Sequence, residues 1–539
     1  IVEGLKDTST GAISASDQQL TKFHGIYMQD DRDIREVRKA QGLEPYYIFM
    51  SRVRLPGGTA NPEQWLILDQ LADKSGNGTI KITTRATFQL HGVIKSNLKH
   101  VIRGMNSTLM DTVAACGDVN RNVMLSALPA NAKVHKQVSE MGTVISEYLL
   151  PQTTAYHEIW LEGPDEKDYD TSWPSIFENR KEGPKKKKTL ISGNALVDVE
   201  PTYGPTYLPR KFKVNIAVPP YNDVDVWSSD VGLIAIVNPE TQIVEGYNLY
   251  AGGGMGTTHN NTKTYPRTGS SFGFVLPQDV PRAIECVMLV QRDNGDRTNR
   301  KHARLKYTID DLTIPVYKAK TEEIWGKKFL PERPYEITSN IDYFGWAKDE
   351  TGLNHFTCFI ENGRVEDTPT LPQKTGFKKI AEYFLDNKTQ GHFRLTGNQH
   401  VLISGIEDVH LSAVKSLMKT YKLDNTNFSG LRLSSAACVA LPTCGLAMAE
   451  SERYLPTLIS KLEEALEEYG LRHDSIVMRM TGCPNGCARP WLAEIACVGK
   501  APGTYNLLLG GGYHGQRLNK LYRSCLLYTS PSPRDSTSS

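Results

Sequence analysis

The sequence predicts an α+β fold built twice over in one chain, on three observations. Residues 81–92 read KITTRATFQLHG and residues 394–405 read RLTGNQHVLISG, so a basic residue, an aliphatic, Thr and the closing Gly coincide at an offset of 313. Residues 246–256 (GYNLYAGGGMG) and 504–515 (TYNLLLGGGYHG) share Tyr-Asn-Leu and three glycines at an offset of 258. Each segment of the first pair alternates like a strand and follows a stretch of helical spacing, Pro62 to Asp73 and Lys374 to Asp386. Two echoes in the same order mark a duplication. A pseudo-twofold protein offers a cleft between its halves for a large ligand.

The two offsets differ, so the first copy holds about 55 extra residues between its marks. The polar stretch Pro164 to Asn194 accounts for much of them, its lysine run Lys185 to Lys188 reading as a solvated loop. At 539 residues the chain should divide into two to four domains. With 39% hydrophobic and 23% charged residues it has a globular balance, and a net charge of +2 gives no basic field of the nucleic-acid-binding kind. Any anion site must come from local clustering. No apolar run could span a bilayer, and Ile1 to Gln19 has no secretory pattern, so a cytoplasmic protein is expected. The first residue is not Met, consistent with a fragment or a processed form. After Ser524 the sequence CLLYTSPSPRDSTSS is expected to be a disordered, artefactual tail, and Cys525 is set aside with it.

Nine cysteines are too few for a disulfide scaffold of this length. Cys116, Cys286, Cys358 and Cys497 stand alone and should be buried small hydrophobes. Cys438-x5-Cys444 and Cys483-x3-Cys487 are two tight pairs separated by a core-forming helix (Leu455, Leu458, Ile459, Leu462, Leu466) that Gly470 stops. Cys483-Pro-Asn-Gly-Cys487 is a tight turn, with Pro484 fixing φ and Gly486 free to take positive φ, that aims N–H groups at sulfur. Cys444-Gly445 is expected to open a helical segment, LAMAESERYL, whose N-terminus would favour a thiolate. Two tight pairs read as ligand loops for a metal centre, and spacings of five and three fit zinc less well. A four-cysteine zinc site usually shows C-x2-C pairs, and a redox disulfide C-x-x-C; both stay open as alternatives.

The cysteine strings CVALPTCGLAMAE (438–450) and TGCPNGCARP (481–490) resemble those of the siroheme sulfite and nitrite reductase family. FHGIYMQDDRD (23–33), LPGG (55–58), TTRATFQLHG (83–92), GDVNRNV (117–123), YLPRKFK (207–213) and QRDNGDRTNRK (291–301) extend the likeness from about Phe23 to Ser524. The resemblance implies a [4Fe-4S] cluster on Cys438, Cys444, Cys483 and Cys487, with Cys487 also the axial ligand of a siroheme. It implies ferredoxin-like repeat halves at 20–100 and 325–408, a siroheme-binding domain at 101–324 and a [4Fe-4S]/siroheme-binding domain at 409–524.

Siroheme is rich in carboxylates and sulfite is a small dianion, so the cleft needs Arg and Lys. Arg85 is expected in a strand, projecting to one face; Lys211 and Lys213, at i and i+2, share a face of another. By resemblance these three meet substrate, where they would neutralise the anion and supply protons. Arg121 and Asn485 are expected beside siroheme. Family members often carry an arginine where Thr154 stands here; His157 or Arg121 could take its place. The activity implied is six-electron reduction of sulfite to sulfide, with siroheme nitrite reduction as the alternative and a cluster-only electron carrier or zinc-structured protein as the reading from another class. No G-x-G-x-x-G follows a strand, so electrons would come from a partner, an NADPH-dependent flavoprotein (FAD/FMN) or ferredoxin. No nucleic-acid or membrane partner is expected.

Overall fold

A computed structural model describes residues 1–152, 159–162, 188–192 and 200–527. The first quarter forms β1 (Ile26–Asp30), β2 (Tyr47–Arg52), β3 (Thr59–Ala60), β4 (Ile80–Ile82) and β5 (Phe88–Val93). The second forms β6 (Met124–Leu125), a hairpin of β7 (Ile159–Glu162) and β8 (Lys188–Ser192), then β9 (Val214–Ala217), β10 (Val231–Val237), β11 (Val244–Ala251) and β12 (Ser270–Val275). The third gives β13 (Gly345–Lys348), β14 (Asn354–Cys358), β15 (Arg364–Val365), β16 (His392–Leu395) and β17 (Val401–Ile406). The last gives β18 (Ser435–Ala437), β19 (Met478–Thr481), β20 (Ile495–Ala501), β21 (Thr504–Leu509) and β22 (Lys520–Leu527).

These strands make two pairs of matching five-stranded sheets. The sheet β6-β9-β10-β11-β12 runs parallel, parallel, antiparallel, antiparallel, and β18-β19-β20-β21-β22 repeats that pattern. The sheets β1-β2-β5-β4-β15 and β13-β14-β17-β16-β3 match in the same way. The first sequence echo is thus β4–β5 against β16–β17, and the second is β11 against β21.

Each sheet of the second pair takes its last strand from the other: β15 pairs with β4, and β3 with β16. The stretches 20–100 and 325–408, expected as two halves, are therefore interlocked. Their helices confirm the periodicity. Pro62–Ser75 starts on an Asn61–Gln64 capping box with Pro at N1, and Gln373–Asp386 packs beside it. Trp65, fully buried, touches Phe88 of its own half and Phe377 and Phe393 of the other, with centroids 5.6, 5.0 and 4.5 Å away, so one core serves both halves.

The duplication axis carries a buried charge cluster. Asp225 and Arg489 occupy equivalent positions, each in left-handed backbone (φ 47° and 56°) before a short 3-10 turn that leads into β10 or β20. They bond each other, Arg489 Nε donating to Asp225 Oδ2 at 2.5 Å, and Arg479 of β19 donates to the same oxygen. Arg489 also donates to the carbonyls of Thr84 (2.6 Å) and Gly397 (2.8 Å), which sit at matching places in the β4–β5 and β16–β17 turns. One guanidinium thus joins both sheet pairs.

One expectation changes. β22 runs to Leu527, pairing with β21 three residues past the expected Ser524 boundary, because the open edge of β21 offers hydrogen bonds that composition does not reveal. Residues 528–539 and most of the lysine run lie outside the described residues.

Asp225→Ala should strand two arginines, Arg479 and Arg489, which are 2% and 6% exposed. A loss of roughly 3–5 kcal/mol in the urea midpoint analysis is expected, against less than about 1 kcal/mol for Glu467→Ala, which breaks an exposed pair with Arg472.

Candidate functional site

Both cysteine pairs sit at the carboxyl ends of adjacent parallel strands, where open sheets place their ligands. Cys438 follows β18 directly and Cys483 comes two residues after β19. The intervening helix, Leu455–Glu468, buries Leu455 and Ile459 against the sheet, with Leu458, Leu462 and Leu466 packed beside them. Gly470 follows at φ 70°.

Residues 445–454 form turns and no helix, contrary to expectation. Met448 and Ala449 both donate to the Gly482 carbonyl, and Arg32 donates to the carbonyls of Cys444 (3.3 Å) and Ala447 (2.6 Å), so tertiary bonds replace the helical ones. The thiolate support expected from a helix terminus comes from individual N–H groups. Gly482 N donates to Cys438 Sγ at 3.4 Å, the Leu446 and Ala447 N–H groups act on Cys444, and Asn485 Nδ2 donates to Cys483 Sγ at 3.4 Å. The Cys483–Cys487 turn has the expected form, with Gly486 at φ 62° and a Cβ there 2.0 Å from the Trp491 ring.

Burial, and then the Cys487 charge, raise the other three thiols, Cys483 to about 12. Cys438 feels all three of its companions. Four thiols therefore share one field, yet no three His, Cys, Asp or Glu side chains among the described residues converge closely enough for a single ion. Four cysteines are the ligand number that a [4Fe-4S] cluster and a structural zinc both use. Cys116, Cys286, Cys358 and Cys497 are buried, as expected.

Arg85 lies in the tight turn between β4 and β5, not in a strand. Thr83 N bonds Thr87 O and Ala86 takes φ 49°, which ends the ladder before Arg85. Among the described residues its guanidinium donates to neutral acceptors: Asn215 Oδ1 (2.6 Å), Ser229 Oγ (3.2 Å) and the carbonyls of Asn122 (2.5 Å) and Val214 (3.1 Å). Nε is buried without a partner. Burial and the neighbouring Arg489 push it down to about 9.

Lys211 and Lys213 flank buried Phe212 in the extended segment leading into β9, so they share a side, as the i, i+2 spacing requires, just ahead of the strand. Both are half-buried, and neither ammonium makes a hydrogen bond or ion pair with a described residue. Burial, then Arg121, Arg304 and Arg210, lower Lys211 to about 7, partly offset by Cys487; burial, then Lys211 and Arg85, lower Lys213 well below the usual lysine range, partly offset by Asp230.

Arg121 hangs from the carbonyls of Gly117 (2.7 Å) and Ala115 (3.3 Å). The fold thus brings Arg85, Arg121, Lys211 and Lys213 into one field beside exposed Cys487. Asn485 serves the cluster side of the turn. Thr154 and His157 lie outside the described residues. Sequence reasoning missed Arg52, which donates to Cys116 Sγ at 2.9 Å within the field of Cys487, and Arg304, paired with Asp230 at 2.9 Å. Nothing local in ARLK or SRVR distinguishes them from surface arginines.

Known proteins resemble this chain in sequence and fold. The model described as "Nitrite/Sulfite reductase ferredoxin-like half domain" matches twice, at residues 41–107 and 347–421, and "Nitrite and sulphite reductase 4Fe-4S domain" matches residues 140–329. The "Sulfite reductase [NADPH] hemoprotein beta-component" of Staphylococcus haemolyticus is 50% identical over 524 residues, 97% of this chain and 86% of that protein. The chain belongs to the nitrite and sulphite reductase family. The "Sulfite reductase [NADPH] subunit beta" of Saccharomyces cerevisiae is 73% identical over 97% of this chain, and that of Schizosaccharomyces pombe 56% identical over 97%; the chain spans 36% and 34% of their lengths. The solved structure of the Mycobacterium tuberculosis NirA protein shares the fold, with a TM-score of 0.72 and 23% identity over 98% of this chain and 88% of that one.

The cofactors of this family are siroheme and a [4Fe-4S] cluster, and the residues present fit both. Four mutually coupled thiols suit the cluster. Arg85, Arg121, Lys211 and Lys213 make no ion pair with a carboxylate among the described residues, which suits a macrocycle that brings its own. The matched span 140–329 holds a single cysteine, buried Cys286, so it cannot by itself supply a four-cysteine ligand set.

Gly486→Ala must push Trp491 aside and hold an alanine at positive φ, a strain of about 1–3 kcal/mol. Bound iron per chain should fall while the far-UV spectrum stays the same; unchanged iron would show that the turn has slack.

Proposed function

We propose that this chain reduces sulfite to sulfide by six electrons at a siroheme bridged to a [4Fe-4S] cluster. The observation that carries the proposal is the pair of ammonium groups, Lys211 and Lys213, unpartnered among the described residues and set in a field where arginines outweigh the one carboxylate, Asp230. Bound siroheme and cluster would supply the electrons and the iron that holds the reacting anion. The remaining tasks fall to the chain. Lys211 and Lys213 bind the dianion and, with lowered proton affinity, release protons to oxygens that leave as water. Arg85, fixed by four hydrogen bonds, holds its charge without reorganising during reaction. Arg121 and Arg52 would face macrocycle carboxylates, and Cys487 would join the two cofactors.

The relatives are named as NADPH enzymes. An NADPH-oxidising flavoprotein is therefore the proposed donor, ahead of ferredoxin. No helix among the described residues is long and apolar enough to cross a membrane; the described cysteines are free of disulfides, which suits the cytosol.

The visible spectrum of the purified protein, with iron and acid-labile sulfide on the same sample, tests the cofactors. A Soret and a red band with about five irons and four sulfides per chain is expected for this pair of groups; zinc, or iron without tetrapyrrole in a siroheme-supplied preparation, would sink the proposal. Relative kcat/KM then separates sulfite from nitrite.

Lys211→Met should keep that spectrum and lower kcat/KM for sulfite by about 100-fold. Because the Lys211 proton affinity is lowered to about 7, its charge is present below that pH and lost above it. Inhibition by sulfate, which does not itself titrate there, should weaken as pH rises through 7 and lose that dependence in Lys211→Met.

A further inference from the structure

The two working parts of the site, Arg85 and Cys487, come from different sheets and from opposite ends of the chain. Two hydrogen bonds join the turn that carries Arg85 to the turn that carries Cys487. Thr84 Oγ1 donates to the Cys487 carbonyl at 2.8 Å, and the Thr84 carbonyl accepts from Arg489 at 2.6 Å. We infer that Thr84 is a positioning residue, whose hydroxyl sets the Cys487 sulfur relative to the Arg85 guanidinium. The inference rests on the catalytic reading above and deepens it.

A threonine in a turn ordinarily bonds its own backbone and closes the turn. Here that work is done without the Thr84 side chain. Thr83 Oγ1 accepts from Arg85 N at 3.1 Å, Ala86 N donates to Thr83 O, and Thr83 N donates to Thr87 O. The Thr84 hydroxyl instead reaches a carbonyl 403 residues away.

The receiving group matters as much. Each of the other three cysteines has N–H donors acting on its sulfur, from Gly482, from Leu446 and Ala447, and from Asn485. Cys487 is exposed, and among the described residues no N–H or O–H donates to its sulfur. Its side-chain direction depends on how its peptide is held, and the Thr84 hydroxyl is the side-chain group that holds it. The same two-residue segment, Thr84-Arg85, therefore grips the bridging ligand with one side chain and presents charge with the next. Arg489 cannot serve as the probe of this coupling, because its bonds to Asp225 and Gly397 hold the fold together.

Thr84→Val removes the hydroxyl at nearly constant shape, and Thr84→Ser returns it. In the holoenzyme, Thr84→Val should keep wild-type iron, siroheme and Tm, shift the midpoint potential followed in the visible bands, and lower kcat for sulfite by about tenfold with KM less affected. Thr84→Ser should restore both. Hydrogen exchange gives a readout that needs no turnover: amides of 483–489 should exchange about fivefold faster in Thr84→Val and at the wild-type rate in Thr84→Ser. Unchanged exchange and potential in Thr84→Val would overturn the inference. So would parallel loss of cofactor and Tm in both variants, which marks a merely structural residue. Wild-type protein that binds no siroheme or leaves sulfite untouched would instead refute the catalytic reading, and the exchange result would still decide whether Thr84 positions Cys487.

Discussion

The Arg489 guanidinium is the constraint on which the rest of the structure depends. It sits on the duplication axis, paired with its own structural equivalent, Asp225, and bonded to equivalent carbonyls at Thr84 and Gly397. Burial raises the Asp225 carboxyl, but Arg479 and Arg489 more than offset this and hold it below its usual range. A buried pair of this kind is costly to desolvate and adds little net stability, yet it is severe when one member is lost. Its value lies in register. It fixes the turn carrying Arg85, the turn carrying Cys487 and the loop before β10 in one frame.

Around that frame the duplicated halves are interlocked. The exchange of β3 and β15 ties the first sheet pair together, and a core centred on Trp65 runs through both. The glycine echo has a matching role in each copy. A Cβ at Gly253 would lie 2.2 Å from the Trp227 carbonyl, and one at Gly511 2.2 Å from the Ala493 carbonyl, so each copy uses glycine to let β11 or β21 close onto the loop bearing Asp225 or Arg489. In the first copy the run goes on to Thr257, whose N–H and hydroxyl both donate to Pro484 O. Lys306, fully buried, holds that loop through the carbonyls of Gly254 and Gly256. The half without cluster ligands thus supports the turn of the half that has them.

A second brace reaches the cysteine loop from the opposite side. Glu452, whose N–H donates to Cys438 O, pairs with buried Lys81 of β4 at 2.6 Å and with Arg364 of β15 at 2.7 Å. Burial works against the charge, but Lys81 and Arg364 overcome it and bring the carboxyl down to about 2. Each loop of the site is thereby held by charge on a separate element, which keeps sulfur and cation spacing from drifting with any single strand.

Much of this was legible in the sequence. Short-range chemistry determined the helices at 62–75, 373–386 and 455–468, the Cys-Pro-Asn-Gly-Cys turn and the burial of the four lone cysteines, because spacing, caps and turn residues act within a few positions. The duplication was legible because each copy must satisfy the same sheet. The helix expected after Cys444, the strand expected around Arg85 and the end of β22 were decided by the tertiary structure, where distant groups competed successfully for local backbone bonds. So were Arg52, Arg304 and the Thr84 bond to Cys487, which have no local signature. A sequence records which charges and thiols are available; only folding brings residue 84 against residue 487 and leaves two lysines with no ion pair among the described residues, because those contacts depend on where whole sheets come to rest.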